Sequence, residues 1–231
     1  MVTLLAASAL FLGIHLVISG TRLRDQIVGV VGERTYLGLF ALSSLGSIIW
    51  LCIAYDHFYG SSENRVLYDL GQNFRNLAIP VVSVAFLLGV PGVMMANPTS
   101  AGQSGAALRG VLRITRHPFL WGVAIWSGYH LAASGALASV IFFGTFLVLA
   151  PFGTRAIDAK VRRKRPTEWQ AVSSQTSNIP FLAIFERRNK FLAREYFDWR
   201  FSFAVLSVAV FLLIHNYLFK MSPFPNNWLP F

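Results

Sequence analysis

The sequence predicts an all-α fold, a polytopic membrane bundle of about six transmembrane helices. Three observations predict it. Of 231 residues, 55% are hydrophobic and 13% charged, whereas a soluble domain carries roughly a quarter charged residues; the mean hydropathy is +0.53. The apolar residues fall in runs close to the ~20 residues that cross a bilayer as a helix. The basic residues fall almost entirely in alternate connections between those runs.

The runs are Val2–Ser19, Tyr36–Tyr55, Leu77–Met95, Phe119–Ala133, Leu137–Gly153 and Phe201–Phe219. Val2–Ser19 lacks a basic leader and a small-residue cleavage site, so it reads as a first span rather than a signal peptide. The second carries Cys52, the single cysteine, which leaves no disulfide framework and no thiolate metal site. The fourth and fifth are short and separated at Gly135 by room for a tight turn, so they read as a helical hairpin. Residues 56–76 read as a polar external loop. Thr154 to Lys160 continues the fifth helix beyond the bilayer, and Glu168–Ser177 reads as a short interfacial helix anchored by Trp169. Ser177-Asn178-Ile179-Pro180-Phe181 breaks that helix and folds back. The tail Pro223–Phe231, with Trp228 and Phe231, reads as an outer aromatic-belt element.

A net charge of +10 raises nucleic-acid binding, which the charge distribution excludes. Connections 20–34, 96–118 and 154–200 hold 17 of the 20 Lys and Arg residues. That is the positive-inside bias. It places 154–200 in the cytoplasm, with both termini on the non-cytoplasmic side. The whole chain, 1–231, reads as one membrane domain whose core is 1–188, followed by a last span 201–219 and an outer tail 220–231. Arg109, Arg113 and Arg116 are spaced to share one helix face.

The chemistry-bearing residues are histidines. His57 reads as solvent-exposed and His215 as interfacial. His117 stands between Arg116 and Pro118 at the entrance of the fourth span, where unpaired backbone N–H groups favour an anion such as a propionate or phosphate. His15 and His130 lie inside spans, and an intramembrane ionisable group is costly unless it serves a ligand or a bundle interior. At 1.5 Å per residue their depths differ by about 10 Å. That offset suits two axial ligands on opposite faces of a tilted macrocycle better than two ligands on one bare ion.

These residues resemble the NnrU family of membrane proteins. The matching elements are Leu12-Gly13-Ile14-His15, Gly32-Glu33-Arg34, Ala101-Gly102-Gln103 and Arg113 through Gly122 with Trp126 and His130. Phe143-Gly144, Arg155-Ala156-Ile157-Asp158 and Thr176 through Phe181 follow. The resemblance implies a bacterial branch linked to nitrite and nitric oxide reduction. It also implies a plant branch, 15-cis-zeta-carotene isomerase, in which haem b is held by histidines matching His15 and His130. A cysteine that exchanges as a ligand in that branch corresponds to Ser127, so here a thiolate exchange is absent or takes another form. On this reading His15 and His130 are the iron ligands, and Arg116 and His117 contact propionates or an anionic substrate group. The partners are the lipid bilayer and an apolar polyene substrate or respiratory reductase subunits. Arg116-His117-Pro118 with Ile179-Pro180-Phe181 also looks like membrane methyltransferases that use S-adenosylmethionine; their paired glutamates are replaced by the single Asp158. A non-enzymatic reductase maturation factor is the third alternative.

Overall fold

The computed structural model describes residues 1–100, 103, 105–219 and 222–224. The helices run in order α1 (Val2–Leu12), a π-helical turn (Gly13–Ile18), α2 (Leu23–Val31), α3 (Glu33–Tyr59), α4 (Gly71–Arg75) and α5 (Ala78–Met94). They continue as α6 (Val111–Ile114), α7 (Pro118–Ala133), α8 (Leu137–Lys164), α9 (Pro166–Gln175), α10 (Leu182–Phe185), α11 (Ala193–Tyr196) and α12 (Trp199–Phe219). Residues 225–231, which include Trp228 and Phe231 of the expected aromatic tail, lie outside the described residues, as do Ala101, Gly102 and Lys220.

Among the described residues, four segments are long and apolar enough to cross a membrane: Glu33–Tyr59, Gly71–Met94, Leu137–Lys164 and Trp199–Phe219. Val2–Ile18 with Leu23–Val31, bent by 80°, makes a fifth if the pair is one span. Length therefore supports four or five crossings rather than the expected six. The shortfall is at α7, whose 16 residues are bounded by Pro118 at the start and Ser134-Gly135 at the end. The expected extension of the fifth span is present, since α8 runs unbroken for 28 residues to Lys164.

The chain divides into two compact units, Met1–Asp69 with His130–Lys160, and Leu70–Tyr129 with Val161–Phe231. In the first, α1 and α2 pack on α3, and Tyr55 meets Phe142 of α8 at 4.5 Å between ring centroids. The start of α8 has unpaired backbone N–H groups, as every helix does. The loop after α3 satisfies them: Leu137 N–H donates to the Arg65 carbonyl at 2.9 Å, and Ala138 N–H to Asn64 Oδ1 at 3.0 Å. Leu67 N–H donates to the Gly135 carbonyl at 2.7 Å. The loop expected to be merely solvated is thus a strap over the turn before α8. A side chain at Gly135 would overlap the Tyr68 carbonyl oxygen.

In the second unit, α5 lies against α12 and α6, and α5 meets α7 through glycines. A Cβ on Gly122 would stand 2.6 Å from the Ala85 carbonyl oxygen, and one on Gly92 2.7 Å from Pro118 Cγ. Small residues let helix backbones approach where lipid supplies no hydrophobic drive between helices. The expectation of one arginine face fails here. α6 has only four residues, Arg109 precedes it, and Thr115 is extended at φ −155°, which turns Arg116 out of the helix. Arg113 instead turns to Glu195, with Nε 2.7 Å from Oε2 and Nη2 3.0 Å from Oε1. Gly110 N–H also donates to Glu195 Oε2 at 3.1 Å.

Two predictions test these contacts. Gly122→Ala and Gly135→Ala should each destabilise the detergent-solubilised protein by about 1–3 kcal/mol, the usual cost of forcing atoms into packed space. Gly46→Ala, whose Cβ meets nothing within 4 Å, should leave the thermal midpoint unchanged or raise it slightly. The second concerns acid. The Arg113 hydrogen bonds hold the Glu195 carboxyl below its ordinary value, with burial opposing and Gly110 N–H assisting. A depressed carboxylate contributes stability above its unfolded value and loses it as pH falls through the folded one. Glu195→Gln should therefore cost of order 1–2 kcal/mol at neutral pH, and the gap to the native protein should close below the usual carboxylate range.

Candidate functional site

His15 sits where α1 loses its α-helical register. From Gly13 to Ile18 the chain is π-helical, and Ser19 N–H closes the wider turn on the Ile14 carbonyl at 3.0 Å. Single π turns inside α-helices occur frequently at functional sites. His15 Nδ1 lies 2.8 Å from the Phe11 carbonyl oxygen. That oxygen can only accept, so the proton is on Nδ1 and Nε2 carries the lone pair. Ser44 Oγ, 3.2 Å from Nε2, then donates to it. The imidazole is flanked by Phe11 at 4.3 Å and Phe40 at 5.4 Å.

A metal-binding histidine characteristically gives its other ring N–H to a carbonyl or carboxylate, which fixes ring orientation and raises the basicity of the ligating nitrogen. His15 has that arrangement already built. Neither the π turn nor Ser44 is marked by residue spacing. The available signal for the second is the Ser43-Ser44 pair inside an otherwise apolar run.

His130 belongs to the same unit as His15. Its ring lies nearly parallel to Phe143, at 27° and 4.9 Å. Ring contacts lead onward from Phe143 to Phe142 at 5.2 Å, to Phe146 at 5.2 Å and to Phe11 at 5.5 Å. The two histidines are therefore joined by an apolar aromatic lining. One turn before His130, the fully buried Ser127 donates its hydroxyl to the Val123 carbonyl at 2.7 Å. It is bonded within its own helix.

Arg116 and His117 lie in the other unit, both buried. The chain leaving α6, Ile114–Arg116, runs beside Ser177–Phe181. Arg116 N–H donates to the Ser177 carbonyl at 3.0 Å, and Phe181 N–H to the Ile114 carbonyl at 2.8 Å. Thr115 Oγ1 donates to the Asn178 carbonyl at 2.5 Å, and Trp121 Nε1 to Asn178 Oδ1 at 3.2 Å. The Arg116 guanidinium lies over the Trp169 ring at 4.9 Å and reaches the Thr176 carbonyl at 3.4 Å. The two longest shared motifs thus build one clasp. Trp169, expected as an interfacial anchor, is the platform for Arg116. His57 is exposed in the last turn of α3 rather than in a loop, and His215 in α12 meets Phe219 at 4.9 Å.

The donor set decides what kind of centre the first unit suits. Among the described residues no group of three or more His, Cys, Asp or Glu side chains could hold a metal ion. A bare ion held by three or more such side chains therefore has no site among the described residues. A haem iron brings four equatorial nitrogens of its own and asks the protein only for the remaining ligands; His15 offers one oriented ring nitrogen between Phe11 and Phe40.

The sequence matches the NnrU protein family over residues 3–223. It is 29% identical over 188 residues to the chloroplastic 15-cis-zeta-carotene isomerase of Arabidopsis thaliana, covering 76% of this chain and 48% of that protein. It is 24% identical over 217 residues to the chloroplastic 15-cis-zeta-carotene isomerase of Zea mays, covering 92% of this chain and 58% of that protein. The chain thus spans about half the length of these curated relatives. No solved structure matches it significantly. The clasped motifs at 113–122 and 176–181 and the π turn at His15 all fall within the matched stretch, and the chain belongs to the NnrU family.

Proposed function

We propose that this protein is a haem b-binding membrane isomerase that turns a cis double bond of an apolar polyene to trans, with His15 and His130 as the residues that would hold the iron. The observation that carries the reading is the His15 imidazole, whose Nδ1 is committed to the Phe11 carbonyl and whose Nε2 lone pair meets nothing stronger than a serine hydroxyl. The two relatives named as carotene isomerases supply the substrate class. When bound, ferrous haem would donate electron density to a conjugated chain and so lower the order of the double bond.

The residues of this chain do the rest. His15 and His130 orient the cofactor, and the Phe11 carbonyl holds the one imidazole proton away from it. Phe11, Phe142, Phe143 and Phe146 line the surroundings with rings that exclude water and accept a flat hydrocarbon. The reaction is a rotation about one bond, so no atom is gained or lost. Residues 154–200, which carry 11 Lys and Arg, belong on this reading at the cytoplasmic face of a bacterial inner membrane. Both termini then lie opposite.

Absorption spectra of the detergent-purified protein test the cofactor. The expected result is a Soret band that sharpens on reduction, with haem content falling by ~tenfold or more in His15→Ala and His130→Ala. The reduced protein should convert a cis-polyene such as 15-cis-zeta-carotene, and the oxidised protein should not. A colourless protein that binds S-adenosylmethionine through Arg116 would overturn the reading in favour of methyl transfer. For topology, alkaline phosphatase fused after Phe231 should be active and a fusion within 162–165 inactive; the reverse pattern rejects the assigned sides.

A further inference from the structure

The first unit contains a second polar group near His15 that positive-inside charge does not account for. Arg24, in the first turn of α2, is buried with 7% of its surface exposed. Its guanidinium lies over the Tyr36 ring at 5.1 Å. Tyr36 stacks on Phe40 at 6.1 Å and 17°, and Phe40 is the ring that meets His15 edge-on. Tyr36 thus stands two ring contacts from the imidazole, and Arg24 one contact beyond it.

The Tyr36 hydroxyl is the unexplained part. Tyr36 is 4% exposed, and its hydroxyl is buried without a hydrogen-bond partner. Leaving such a group unsatisfied costs about 1–3 kcal/mol, and buried hydroxyls in folded proteins are nearly always paired. A partner that arrives with a ligand resolves the deficit. The neighbouring charge says what kind. Arg24 Nη2 is 2.5 Å from Glu33 Oε1, and the Glu33 side chain is 53% exposed. The guanidinium therefore already donates to a carboxylate oxygen, on a side chain that is half exposed and so able to leave. Asp25 Oδ1 stands farther off, 3.7 Å from Nη1.

We infer that Arg24 and Tyr36 form the carboxylate-binding pair for the ligand held at His15, with Glu33 occupying the position that the ligand carboxylate takes. This rests on the haem reading, under which the carboxylate is a porphyrin propionate. It adds to the expected contacts at Arg116 and His117 a carboxylate contact within the unit that carries His15 and His130. Arginine suits the task because its planar fork binds a carboxylate through two parallel hydrogen bonds.

The test compares two porphyrins on the full chain, purified from haem-depleted cells and titrated at the Soret band. Iron protoporphyrin IX should bind roughly tenfold tighter than its dimethyl ester, the expected worth of hydrogen bonds to a charged group. Arg24→Gln and Tyr36→Phe should each shrink that preference towards unity while leaving ester binding intact. Tyr36→Phe keeps the ring and its stacking, so it decides the matter even if Arg24→Gln does not fold. Glu33→Gln should strengthen binding of the free acid; a purely structural Arg24–Glu33 pair would instead weaken it. Equal affinity of the native protein for both porphyrins, or a preference that survives in both variants, overturns the carboxylate site alone. Binding of neither porphyrin overturns the haem reading and this inference with it.

Discussion

A hydrogen-bonding group buried away from water must find its partner inside the protein, because no solvent reaches it. That constraint organises most of what is unusual in this chain. At His15 the carbonyl of Phe11 takes the Nδ1 proton. Before α7, backbone groups that a helix would have paired internally are met instead by Ser177 and Phe181, and the Thr115 hydroxyl donates to the Asn178 carbonyl. At the start of α8, Asn64 and Arg65 perform the same service from a loop more than seventy residues earlier in the chain. Tyr36, whose hydroxyl is buried without a hydrogen-bond partner, is an exception near His15.

The clasp around Arg116 shows how the constraint shapes motifs. Pro118 cannot donate a backbone hydrogen bond, so it is tolerated at the first turn of a helix and marks where α7 begins. The residues just before it leave helical geometry and need another strand of chain beside them. Ser177–Phe181 supplies it, with Phe181 in the left-handed region at φ 65°. The arginine expected to meet an anion lies over the Trp169 face and donates to the Thr176 carbonyl.

The apolar runs made the long helices legible, because a stretch of lipid-compatible residues bounded by charge has little choice but to be helical. The alternation of Lys and Arg was equally plain, though it masked Arg24, whose burial depends on Tyr36 and Glu33 meeting it across a turn. The fold-back at 177–181 could be read from Asn178-Ile179-Pro180, but its destination could not. Nor could the π turn: it follows from how α1 settles on α3, and no propensity of Gly13 or Ile14 announces it. The glycine contacts at Gly89, Gly92 and Gly122 were hidden for a related reason. A glycine in an apolar helix looks alike whether it faces lipid or another backbone.

The wide turn at Gly13–Ile18 has one further consequence. In an α-helix each residue advances the direction of its side chain by about 100°, and a π turn accommodates one residue more than the regular winding would. Val2–Leu12 and the segment beyond Ile18 are therefore out of phase with a single uninterrupted helix. Excising one residue from this turn would let the winding close up and swing everything upstream, Leu4 and Ala7 of the packed face included, away from its seat on α3. Length in that stretch is under as much constraint as composition.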